Sequence, residues 1–176
     1  LNKSLSDVEL EIEPLLKCRV LDGYGYYEGI FKRRLSIRTQ QVPAHLNESE
    51  LRTYNQGLGR SLWYISQGEP EKLIRLINIF PEERLHDLWR GVGIAVAYVG
   101  GIDNLALQQL VNDSTSYLTS FKCGVSLLIQ SRTKANTISA DTKSICKFLF
   151  DKDCSTINNQ LVKLEQETIA TPEQFY

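Results

Sequence analysis

Along most of residues 47–166, apolar residues recur at three- and four-residue steps, the period of an amphipathic helix. Leu51, Tyr54, Leu58, Leu62 and Ile65 fall on one face of the first such segment. Asn47, with Glu50 three positions on, has the form of a capping box and sets its start. Gly68 closes it, and Pro70 suits the first turn of a short apolar helix over Leu73, Ile74, Leu76, Ile77 and Phe80. Pro81 opens the next helix, with Glu82 and Glu83 at the positive end of its dipole. Leu85, Leu88, Val92, Val96 and Val99 form its stripe, and Gly100–Gly101 reads as a C-cap.

Asp103 caps a further helix to Leu110 or Val111. A longer one is predicted from about Ser114 to Ser131, followed by Ala140 to Phe150 behind Ser139, and a last helix behind Ser155 to about Glu167. Only Phe31 to Ala44 reads differently, as an extended segment or a loop ending at Pro43. The expectation is an all-α fold in one domain over residues 1–176.

A longer period lies over the helical one. Gly23-Tyr24-Gly25, Gly57-Leu58-Gly59 and Gly91-Val92-Gly93 are spaced 34 residues apart, with a looser copy at Gly124-Val125-Ser126. That length fits a helix pair plus turns, so antiparallel helix pairs in a short repeat array are expected. Glycine inside a helix costs about 1 kcal/mol relative to alanine. Close helix crossings would offset that cost, with Gly57 and Gly93 expected at equivalent places of successive units. No complete dinucleotide fingerprint is present: Gly23, Gly25 and Gly29 come nearest, and no strand pattern precedes them.

Composition narrows the picture further. Twenty basic and 21 acidic residues leave a net charge of −1, so no overall electrostatic footprint for nucleic acid or an anionic membrane is expected. The longest apolar run, Gly91 to Ile102, is 12 residues, against roughly 20 for a membrane span. The start of the chain carries Glu9, Glu11 and Glu13 and does not read as a signal peptide. Cys18, Cys123, Cys146 and Cys154 are widely spread and read as free thiols, the state of a reducing compartment, so a cytoplasmic protein is expected. His45 and His86 stand alone, so neither a metal nor another cofactor is expected.

Candidate chemistry gathers near the glycine pairs. Asp22 to Gly29 holds Tyr24, Tyr26, Tyr27 and Glu28, and later segments bring Trp63, Tyr64, Trp89 and Tyr98. Tyr24, Tyr27, Trp63, Trp89 and Tyr98 could line one groove for an extended apolar ligand, with Arg60 or Glu28 as its fixed polar point. The same rings could equally be aromatic core.

The segments Leu21-Asp22-Gly23-Tyr24-Gly25-Tyr26-Tyr27-Glu28-Gly29, Asn55-Gln56-Gly57-Leu58-Gly59-Arg60-Ser61-Leu62-Trp63 and Asp87-Leu88-Trp89-Arg90-Gly91-Val92-Gly93 resemble a family of proteins of unknown function, DUF1702. Its members are encoded near enediyne polyketide gene clusters and are often called enediyne biosynthesis proteins. The likeness runs from about residue 14 to 150 and is similar to the C-terminal half of a member, which implies a longer protein. Arg90 and the stretch from Phe31 to Ala44 depart from the family pattern. The resemblance implies a pathway and no reaction: an accessory protein that binds a hydrophobic polyene-type intermediate or a partner enzyme, or an enzyme that modifies such an intermediate. It carries over no catalytic residue.

Overall fold

A computed structural model describes residues 14–170, with side chains described for 16–167. Within them the chain is all α-helix and turn. Five long helices, α1 (Pro14–Phe31), α2 (Glu48–Ile65), α4 (Glu82–Val99), α6 (Leu118–Lys134) and α8 (Cys154–Ala170), alternate after α2 with three shorter ones. These are α3 (Pro70–Ile77), α5 (Asn104–Asp113) and α7 (Ala140–Phe150).

Most helix starts follow the local capping chemistry. Asn47 Oδ1 accepts from the Glu50 amide at 3.0 Å while Glu50 accepts from the Asn47 amide at 2.9 Å, a complete capping box. Pro70 sits in the first turn of α3, Asp103 accepts from the Ala106 amide, and Ser139 from the Thr142 amide. Gly100, at φ 68, ends α4 in a conformation that side chains rarely adopt.

The differences from the sequence reading are local. α6 begins at Leu118, because Thr115–Tyr117 form a separate 3₁₀ turn. The last helix is capped by Asp153 and not Ser155: the Asp153 carboxylate accepts from the Thr156 amide at 2.7 Å and from the Ser155 hydroxyl. The segment expected to be extended contains a π-type turn, Arg34–Arg38, held by Ser36 Oγ donating to the carbonyls of Glu28 and Lys32. α1 is a full helix that weak amphipathic patterning concealed. Its apolar residues face several ways because one side meets α2 and another is exposed.

Each long helix packs on the next. Contacts between α1 and α2 rise together along both helices, from Lys17–Glu50 through Asp22–Gln56 to Gly29–Ser61. The same order holds from Asn55–Arg84 to Gly91–Arg60, and from His86–Ser120 to Arg132–Tyr98. The long helices α1, α2, α4 and α6 therefore run parallel, and α3 and α5 carry the chain back. The core is a single apolar cluster running from Tyr54 and Leu58 through Leu88, Val92 and Phe121 to Ile145 and Ile157. Leu73 and Ile77 of α3, and Leu107 and Leu110 of α5, close it.

The glycines set how closely the long helices cross. A Cβ on Gly57 would fall 2.7 Å from the Asp22 carbonyl carbon of α1, and one on Gly25 would fall 2.9 Å from the Leu58 amide of α2. Gly59 and Gly91 make the matching pair between α2 and α4, and Gly93 and Gly124 between α4 and α6. In α2 and α4 the first glycine of each pair thus meets the preceding helix and the second the following one. Gly57 and Gly93 are consequently not equivalent: Gly57 faces back to α1, whereas Gly93 faces forward to Phe121 of α6. Gly23 has nothing within 4 Å.

Candidate functional site

A shallow groove of about 890 Å³ crosses α1, α2, α4 and α6. No residue of α3, α5 or α7 lines it. Parallel stacking makes it possible: side chains at matching heights of successive helices form rows across the stack.

One end is polar. The Asp22 carboxylate accepts from Gln56 Nε2 at 3.0 Å and forms an ion pair with the Arg60 guanidinium. That guanidinium stacks 5.1 Å from the Tyr26 ring, which meets Tyr64 edge-on at 5.6 Å. Arg60 is thereby held on two sides, by the Asp22 carboxylate and the Tyr26 ring, and a polar ligand group at this end would meet an oriented cation. Burial, followed by the neighbouring Tyr26, raises the Tyr64 hydroxyl above its ordinary pKa, so Tyr64 is a neutral hydrogen-bonding group.

The middle is apolar, with Tyr64, Ile94, Tyr98 and Leu127 along the wall. Tyr98 is 58% exposed yet its ring is fixed. Arg132 stacks on it at 5.0 Å and donates to the Tyr98 and Thr137 carbonyls. Lys134 stands at the α6 side. The arrangement offers a flat apolar wall with cations at both sides, which suits an elongated, flat molecule with a polar end. Neither histidine lines it.

The expected site residues separate. Arg60 and Tyr98 line the groove. Trp63 and Trp89, 3% and 2% exposed, are core: Trp89 meets Phe121 edge-on at 6.2 Å, and Trp63 lines a smaller cavity of about 260 Å³ beside Gly68. Both belong to the buried apolar core. Tyr24 packs on Tyr54 and His45. Tyr27 is exposed next to Phe31.

Glu28 belongs to a buried clasp on another face of α1. It accepts from Tyr54 Oη at 2.9 Å and from Lys32 Nζ at 2.9 Å. Burial, and then the Glu28 carboxylate, push the Tyr54 hydroxyl far above its ordinary range, so it stays a proton donor. Alongside, Arg84 is 5% exposed and donates twice to Asn55 Oδ1, at 2.9 and 2.7 Å. The first cluster ties α1 to α2, and the second ties α4 to α2.

Sequence reasoning missed Asp22, Gln56, Ile94, Leu127 and Lys134 as groove residues. One signal was present. Asp22 and Gln56, and likewise Tyr98 and Arg132, stand 34 residues apart and touch. All four cysteines are free, Cys146 and Cys154 being buried. Among the described residues no group of three or more His, Cys, Asp or Glu could hold a metal ion. None of their helices is long and apolar enough to cross a membrane.

A family model described as "Protein of unknown function (DUF1702)" matches residues 2–174. No curated protein and no solved structure matches the chain.

Proposed function

We propose a function from one premise: the chain belongs to the DUF1702 family. It is an accessory protein of enediyne or polyketide biosynthesis, cytoplasmic, that holds a polyene-type intermediate in the groove across α1, α2, α4 and α6. The observation that carries this reading is the shape and polarity of that groove. Its wall presents Tyr64, Ile94, Tyr98 and Leu127 between the Asp22–Arg60 pair and Lys134. A conjugated chain is flat, stiff and apolar, so it buries area on such a wall with little loss of torsional freedom. An acidic or hydroxyl terminus would then meet Arg60 or Lys134.

We further read the fold as a helical repeat with a period near 34 residues. The contacts joining residues 34 apart support it: Asp22 with Gln56, His86 with Ser120, and Arg132 with Tyr98. In such an array the groove is the row of equivalent positions on successive units, and its length follows from the number of units stacked.

The test is a fluorescence titration with a conjugated polyene carboxylic acid such as parinaric acid. Saturable binding is expected in the parent. Tyr98→Ser should weaken it about tenfold, from loss of one ring face worth on the order of 1–1.5 kcal/mol. Arg60→Met should weaken the acid more than its methyl ester. Absent binding at solubility-limited concentrations, or binding indifferent to both substitutions, would remove the groove from the argument.

A further inference from the structure

The net charge of −1 conceals a local excess. From Gly29 to Asn47 the chain has no Asp or Glu, yet it carries Lys32, Arg33, Arg34 and Arg38. All four are exposed. Lys32 is ion-paired with the buried Glu28, whereas Arg33, Arg34 and Arg38 have no ion pair among the described residues.

The apolar side chains between these cations are displayed and not buried. Phe31 is 71% exposed, and Tyr27 and Leu35 are nearly half exposed. The three lie four residues apart. Helical bonding continues from α1 into the π-type turn, the Lys32 amide donating to the Glu28 carbonyl and the Ser36 amide to the Lys32 carbonyl. They therefore form one stripe. The rings of Tyr27 and Phe31 are in contact at 5.1 Å. Buried Ser36 and Ile37 fix the opposite side of the turn to the protein, which holds the stripe outward.

We propose that this end of α1 and the turn after it form a docking surface for an anionic lipid bilayer. Charge complementarity names the partner as anionic. The side chains protrude, and none of them lines the groove or the smaller cavity beside Gly68. A knob with no hole of its own fits a soft interface, where an aromatic ring and a leucine can enter the headgroup boundary and the arginines remain at the phosphates. The surface is separate from the groove and rests on none of the groove's residues.

The experiment is vesicle co-flotation of the chain. Vesicles of phosphatidylcholine alone are compared with phosphatidylcholine mixed with phosphatidylglycerol, at low and high salt. Binding is expected to the mixed vesicles only, and to fall as salt rises. Arg33→Ala with Arg34→Ala should weaken partitioning roughly 25-fold, about fivefold for each cation. Phe31→Ser should weaken it about tenfold by removing the inserted ring. Thermal melts should be unchanged in both variants, since the altered side chains are exposed. Absence of flotation with mixed vesicles would overturn the proposal, as would equal flotation with neutral ones or indifference to both variants. Retention on an acidic protein without any vesicle binding would overturn it in favour of a protein partner.

Discussion

Adding one methyl group at Gly57 and at Gly23 should move stability in opposite directions. Both residues are first glycines of a pair, 34 positions apart, and both lie inside long helices. At either site alanine gains up to about 1 kcal/mol of helix propensity. At Gly23 nothing lies within 4 Å, so the gain should be realised. At Gly57 the new Cβ would stand 2.7 Å from the Asp22 carbonyl carbon and 2.9 Å from the Tyr26 amide nitrogen, where ordinary contact begins at 3.4 Å. Both obstacles are backbone, so no rotamer change relieves them. The Asp22 carbonyl oxygen lies closer still, so the helices must separate by more than roughly 0.7 Å, and a gap of about 0.5–1 Å already forfeits a quarter to a half of each dispersion contact along the crossing. Overpacking of this kind costs about 3 kcal/mol at the upper end of its usual range. Subtracting the propensity gain leaves about 2 kcal/mol of destabilisation for Gly57→Ala. For a domain of this size that lowers Tm by roughly 4–8 °C, whereas Gly23→Ala raises it by about 2 °C. Thermal melts followed by far-ultraviolet circular dichroism measure both. Shifts of the same sign, or a Gly57→Ala protein as stable as the parent, would refute the close-crossing account.

Gly93→Leu should also destabilise, because its Cβ position lies 3.0 Å from the Phe121 carbonyl carbon; urea unfolding should show a lowered midpoint. Asn55→Ala should cost about 3 kcal/mol by stranding the buried Arg84 guanidinium, measured in the same way, and the cost should exceed that of an exposed substitution such as Asn159→Ala. Burial raises the Cys146 thiol to about 12, so native iodoacetamide labelling near pH 8 should modify exposed Cys18 and Cys123 first, read by peptide mass spectrometry. Hydrogen bonds, chiefly from the Thr156 amide, lower the Asp153 carboxyl from 3.8 to about 2. The unfolded chain binds the proton more tightly, so this contribution is present above 3.8 and lost as pH falls from there through about 2. Asp153→Ala should flatten that part of the stability profile.

Local chemistry was legible in the residues themselves. The Asn47–Glu50 box, the Pro70 start and the Asp103 and Ser139 caps concern groups within four positions of one another, and no distant contact is needed to form them. The spacing of the glycine pairs was equally plain, because a repeated spacing is a property of the chain. Which neighbour each glycine meets was not. Gly57 faces α1 and Gly59 faces α4 because positions two residues apart on a helix point about 200° apart, and only packing says what lies on each side. Trp63 and Tyr64 are adjacent in sequence, yet one is core and the other lines the groove, for the same reason. α1 escaped notice because its apolar residues serve a buried side and an exposed side at once. The groove itself belongs to no segment: it exists only when parallel stacking brings Asp22, Arg60, Tyr98 and Lys134, spread over more than 100 residues, into one row.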